Sequence, residues 1–155
     1  MKRLFLILAC LILGSGSAFG QTKEETMDFL VSEFKSFERR DYQYTEIKFS
    51  PAGDAFSLRR NSKHRNGYAL TFQLKDVEIY KVTVNHANGI NQFRLMVRTR
   101  GKESSIGQNS RPIAGAVKIS PTMDNERKCL ALERAFARLT TLTTGRKYLF
   151  YDSFK

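Results

Sequence analysis

The sequence predicts an α+β domain: an N-terminal helix, an antiparallel meander or barrel of about six to seven strands, and a closing C-terminal helix. Three observations predict it. Between Tyr44 and Arg100 apolar residues alternate with polar ones, the period of strands with one face on a core. Turn residues interrupt that alternation about every 8–12 residues, which favours hairpins over crossovers. On either side the apolar spacing changes to three and four, the period of a helix.

Residues 1–20 read as a signal peptide, leaving 21–155 as a single α+β domain. Lys2 and Arg3 form a charged start, Leu4 to Leu13 is apolar, and Ala18-Phe19-Gly20 supplies small residues at a cleavage site before Gln21. The run is too short to cross a bilayer core of about 30 Å as a stable helix. A lipoprotein signal ending at Cys10 would have an apolar core of only Leu4 to Ala9. The expected location is therefore periplasmic or secreted, with no transmembrane segment in the mature chain. Cys129 is then left without a partner in its own chain, which excludes a disulfide scaffold.

The first helix is expected over Thr22 to Arg40. Thr22 and Glu25 have capping-box spacing, and Met27, Leu30, Val31, Phe34 and Phe37 make its apolar stripe. Strands are expected over Tyr44–Ser50 and Ala55–Asn61, around a Pro51-Ala52-Gly53-Asp54 turn. Ser62 to Gly67 reads as a polar, basic loop. Tyr68, Leu70, Phe72 and Leu74 alternate cleanly, and Lys75-Asp76 allows a short turn. Tyr80, Val82 and Val84 mark the next strand. His86 to Asn91, with Asn88-Gly89 inside it, is the following turn. Phe93, Leu95 and Val97 then alternate with Arg94, Met96, Arg98 and Arg100. Ser104–Gln108 and Ala116–Ser120 are weaker strand candidates.

The closing helix is expected over Thr122 to Thr143. Cys129, Leu132, Ala135, Phe136, Leu139 and Leu142 share one face. Ser120-Pro121-Thr122 offers a start and Gly145 a left-handed stop. The aromatic tail, Arg146 to Lys155, is expected to dock on the body.

This order, seven candidate strands followed by one long helix, resembles the pleckstrin-homology-like barrel with an extra helix in front. In detail it resembles small exported bacterial domains of that pattern. The matching pieces are residues 1–20, Leu74-Lys75-Asp76-Val77 and Leu130-Ala131-Leu132-Glu133-Arg134-Ala135-Phe136. The resemblance implies a fold and an envelope location, and no chemistry. A phosphoinositide site of the pleckstrin-homology kind would want bases around the first hairpin. Lys48 and Arg59 flank it, yet Ser57 stands where a further base is needed.

Catalytic signatures are missing. There is no nucleophile elbow, phosphate-binding glycine loop or dinucleotide fingerprint. His64 and His86 lack the spacing of a metal pair. No catalytic residue, metal or cofactor is therefore expected, and a hydrolase with an unrecognised site is the remaining enzymatic alternative. The leading expectation is an exported envelope module that binds a protein partner or plays a structural part.

Charge points to the alternative, a binder of anionic polymers or lipid head groups. The 155 residues carry a formal +11, and loss of Lys2 and Arg3 would leave +9. Arg59, Arg60, Lys63 and Arg65 crowd one strand end and loop, while Arg94, Arg98 and Arg100 share one face of a strand. These seven are the candidate anion-binding residues. Nucleic acid is disfavoured, because two of the tyrosines that could stack bases (Tyr44, Tyr68, Tyr80) fall on the expected core face. The same charges also fit a plain solvated sheet face.

Overall fold

The first helix starts where its capping residues say it should. In the computed structural model, which describes residues 22–37, 42–62, 65–87, 89–100, 107–108, 111–112 and 116–147, α1 spans Lys23–Lys35. The Glu25 N–H donates to Thr22 Oγ1 at 3.1 Å, and the Thr22 N–H donates to the Glu25 carboxylate at 2.8 Å. The helix stops at Ser36, earlier than the expected Arg40. Leu30 and Phe34 are buried, with Met27 and Phe37 packed beside them.

Among the described residues eight strands follow: β1 (Tyr42–Phe49), β2 (Ala55–Ser62), β3 (Arg65–Gln73), β4 (Val77–Ala87), β5 (Ile90–Thr99), β6 (Gly107–Gln108), β7 (Arg111–Pro112) and β8 (Ala116–Lys118). All pairings are antiparallel. They form two open sheets rather than one continuous meander, ordered β1-β2-β3-β6-β7 and β4-β5-β8. β6 and β7 are two residues each, so three full strands carry the first sheet. The chain leaves that sheet at a 3-10 turn, Leu74–Asp76, where sequence allowed only a short turn. Leu74 is fully buried there and its N–H donates to Asp54 O, which pins the crossing point to the first hairpin.

The hairpins are tighter than the sequence suggests. β2 and β3 pair as far as Ser62 and Arg65, so most of the expected loop Ser62 to Gly67 is strand. β4 and β5 likewise pair to Ala87 and Ile90, with Gly89 in the turn at φ 73°. Ladder hydrogen bonds come from the backbone, so polar residues extend a strand past its apolar pattern. In the first hairpin Gly53 has φ 64°, and a Cβ there would fall 2.5 Å from Lys23 Cε.

The closing helix, α2, spans Glu126–Thr144. Its cap is Asn125, whose side chain accepts from the Lys128 N–H at 3.1 Å. The expected start at Ser120-Pro121-Thr122 is overturned by the sheet. Met123 exchanges backbone hydrogen bonds with Phe93, at 2.9 and 2.7 Å, and this holds residues 119–123 extended beside β5. Gly145 ends the helix at φ 69°, as expected.

Phe136 on α2 joins every layer. Its ring centroid lies 6.2 Å from Phe34 on α1, 5.2 Å from Phe56 on β2, 6.3 Å from Phe72 on β3 and 5.4 Å from Tyr80 on β4. The Tyr80 hydroxyl meets Thr140 Oγ1 at 2.9 Å inside the core. Lys128 binds α2 to α1, reaching Glu33 at 3.4 Å and Ser36 Oγ at 2.8 Å, 4.5 Å from the Phe37 ring centroid. Residues 1–20, Lys63, His64, most of Ser104–Gln108 and the tail beyond Lys147 lie outside the described residues.

Candidate anion-binding cleft

The alternation of β2 decides which of its two arginines faces inward. Phe56 and Leu58 are buried, so Arg60 continues their face and Arg59 takes the other. Arg59 is exposed and stands across the ladder from Glu46. Lys48, in hydrogen-bonded contact at 2.9 Å, and then Arg59 hold Glu46 below the ordinary carboxylate range. Arg60 is half-buried, with its guanidinium 5.3 Å from the centroid of the Tyr68 ring. A bulge between Arg60 and Ser62 breaks the register at that strand end. Arg65 begins β3, and Lys63 lies outside the described residues.

The β5 arginines keep their expected face but differ in partners. Phe93, Leu95, Val97 and Thr99 are buried; Arg98 and Arg100 are exposed, and Arg94 is half-buried. Arg98 Nε pairs with Glu78 at 2.9 Å, so the row is locally neutralised in its middle. Arg94 turns away toward Thr122, its Nε donating to Oγ1 at 3.2 Å.

Lys118 connects the two groups. It pairs with Met96 across the β5–β8 ladder, so it shares the face of Arg94 and Arg98. Its Nζ donates to the same Thr122 Oγ1 at 3.1 Å. Its backbone carbonyl accepts from the Tyr68 hydroxyl at 3.0 Å, a bond running from the first sheet to the second. Leu58, Arg60, Tyr68 and Ala116–Ser120 then enclose a half-open cleft of about 280 Å³. Burial, followed by the Arg94 and Arg60 charges, pushes the Lys118 ammonium below the ordinary lysine range.

The structure thus brings Arg60 and Arg94 together around Lys118, and leaves Arg59, Arg98 and Arg100 outside that group. Lys118 and Thr122 were missing from the seven residues the sequence singled out. A signal existed for Arg60, since it falls in phase with Phe56 and Leu58. For Lys118 the deciding fact is its register against Met96, which is a tertiary one.

Burial, then the neighbouring Glu133 charge, pushes the Cys129 thiol up to about 12, so it stays protonated at neutral pH. His86 is exposed and its Nδ1 lies 2.8 Å from Asn91 Oδ1. Among the described residues no three His, Cys, Asp or Glu side chains cluster as a metal site, and no helix is long and apolar enough to cross a membrane. No protein-family model, curated protein or solved structure matches this chain.

Proposed function

We propose that this chain is an exported binding module of a bacterial envelope that holds an anionic ligand in the cleft between its sheets. Arg60 and Lys118 lining one cleft, with Arg94 sharing Thr122 Oγ1 with Lys118 beside it, carry the proposal. Burial and the neighbouring Arg94 and Arg60 charges lower the Lys118 pKa, and a bound anion would favour its charged form. The formal +9 left after loss of Lys2 and Arg3 adds long-range attraction for such a ligand. Export is supported by the charged start, the apolar run and the small residues before Gln21. The likeness to exported domains with a pleckstrin-homology-like barrel belongs to the same proposal, supported by hairpin-linked strands followed by one long helix.

Elution from an immobilised polyanion tests the reading. The double variant Arg60→Gln/Lys118→Gln elutes at clearly lower salt than the parent. Arg98→Gln/Arg100→Gln, outside the cleft and with Arg98 already paired to Glu78, shifts elution less. The reverse order would move binding to the open face of β5 and favour an anionic polymer lying along it. Mass spectrometry of the native protein checks export: a chain starting at Gln21 is expected, and one retaining Met1 would overturn it.

A further inference from the structure

β4 is the outer strand of the second sheet, and hydrogen bonds elsewhere settle which of its main-chain groups face outward. Phe93 exchanges N–H and C=O with Met123, and Leu95 spends its own on Ser120 Oγ and the Ile119 N–H. Both residues turn their backbone away from β4, so Val84 and Val82, opposite them in the ladder, turn theirs away from β5. His86 follows in phase. The Val82 N–H is held by the Glu133 carboxylate on α2. Among the described residues the main-chain N–H and C=O of Val84 and His86 have no hydrogen-bond partner. Both residues are exposed, Val84 by 44%.

We infer that this edge pairs with the same edge of a second copy of the chain, as antiparallel strands centred on Asn85. Charge selects that occupant. From Val82 to Phe93 no side chain carries a formal charge, the longest such run after residue 22. Two copies of a basic chain repel each other least where they meet on an uncharged stretch, and an anionic partner finds no counter-charge on it. The outer strand of the first sheet differs. β1 carries Glu46, Lys48 and a bulge between Tyr44 and Glu46, features that blunt an edge against pairing.

Glu133 and the end of β4 set the register. Centred on Asn85, Val84 of each copy lies opposite His86 of the second copy, and each such pair exchanges two main-chain hydrogen bonds. Asn85 meets its own symmetry mate in the close, non-hydrogen-bonded position, as a two-fold interface requires. A register centred on Val84 would take the Val82 N–H from Glu133. One centred on His86 would set Val84 opposite Asn88, past the last residue of β4. The product is one continuous sheet, β8-β5-β4 joined to its two-fold copy. The contact is short, below the roughly 1,200 Å² of standard interfaces, so the dimer is weak. Salt screens the repulsion between the two basic chains and should tighten it, the reverse of what salt does to anion binding.

Sedimentation equilibrium of the purified chain over a dilution series, at low and at moderate salt, tests the pairing. A monomer–dimer equilibrium is expected, with association strengthening as salt rises. Asn85→Lys and Asn85→Glu each place like charges directly opposite across the axis, and each should weaken the dimer roughly tenfold. Mixed together, the two variants should associate at least as well as the parent, which also shows that both are folded. Ile90→Ser removes an apolar side chain that is 58% exposed on β5, away from the paired edge, and should leave association unchanged. A monomer at every concentration and salt would overturn the second copy as occupant and leave the edge to an extended segment of a different protein. Failure of the mixed variants to associate, or a loss at Ile90→Ser equal to that at Asn85, would overturn the pairing through β4.

Discussion

The hydroxyl of Tyr68 on β3 donates to the backbone carbonyl of Lys118 on β8, 3.0 Å away, and ties the first sheet to the second at the cleft. The bond spans 50 residues of sequence and fixes a half-buried ring under the Arg60 guanidinium. Tyr68→Phe keeps the ring and removes the bond. The site is partly wet, so water can replace the lost donor, and stability should fall by about 0.5–1.5 kcal/mol. Anion affinity should fall more than that small loss suggests, because the carbonyl and the ammonium belong to one residue. Affinity equal to the parent's would show that the bond does not position Lys118.

Phe136 sets the second prediction. It is fully buried and touches aromatic rings from α1, β2, β3 and β4. Phe136→Ala should cost about 3–5 kcal/mol, since four rings cannot all collapse into the space. Leu132→Ala, on the same buried face, should cost about 2–5 kcal/mol. Leu142 is 43% exposed, and Leu142→Ala should stay within about 0.5 kcal/mol. Chemical denaturation of the three variants checks the order; an equal loss at Leu142 would mean that α2 does not pack as described.

The apolar faces were legible in the sequence because period alone specifies them. The capping box at Thr22 and Glu25, the buried run Leu132, Phe136 and Leu139, and the alternation on β5 all follow from local spacing. What sequence misplaced was decided by partners far along the chain. Ser120-Pro121-Thr122 looks like a helix start, yet Ser120 Oγ accepts from the Leu95 N–H at 2.8 Å and Met123 pairs with Phe93, so the sheet claims the segment. The division into two sheets depends on Leu74 burying itself at the 3-10 turn, which periodicity over β3 does not foresee. The basic cluster was visible as composition, but Arg59 and Arg60 were grouped although the pleat sends them to opposite faces. Lys118 is visible in sequence only as one more base after that cluster, because its place in the cleft depends on its pairing with Met96 across β5 and β8.

Glu133 on α2 predicts a pH dependence. Its carboxylate accepts from the Val82 backbone N–H, and Arg134 is nearby, yet burial outweighs both and raises its pKa. A raised folded value means that the native state holds the proton more tightly than the unfolded chain. The resulting stability is fully present below the unfolded glutamate value, about 4.3, and is lost as pH rises through the folded value. Glu133→Gln keeps an acceptor for Val82 and removes the buried charge. It should be more stable than the parent at pH 7, with the advantage shrinking toward pH 4. A variant less stable than the parent at pH 7 would show that the ionised carboxylate is stabilising where it sits.

Thr99 closes the inward face of β5 and is 5% exposed. It follows Phe93, Leu95 and Val97 in phase, so its side chain points into the core at the strand end. Among the described residues its hydroxyl has no hydrogen-bond partner. A buried hydroxyl left unsatisfied costs about 1–3 kcal/mol. Valine has the same β-branch and suits a strand at least as well. Thr99→Val should therefore stabilise the domain by roughly 1 kcal/mol, toward the low end because the site lies near the sheet margin. Urea unfolding should show a higher midpoint with an unchanged slope, the sign of altered stability without altered compactness. A lower midpoint would mean that the hydroxyl is satisfied in solution, and that the end of β5 is wetter than its burial implies.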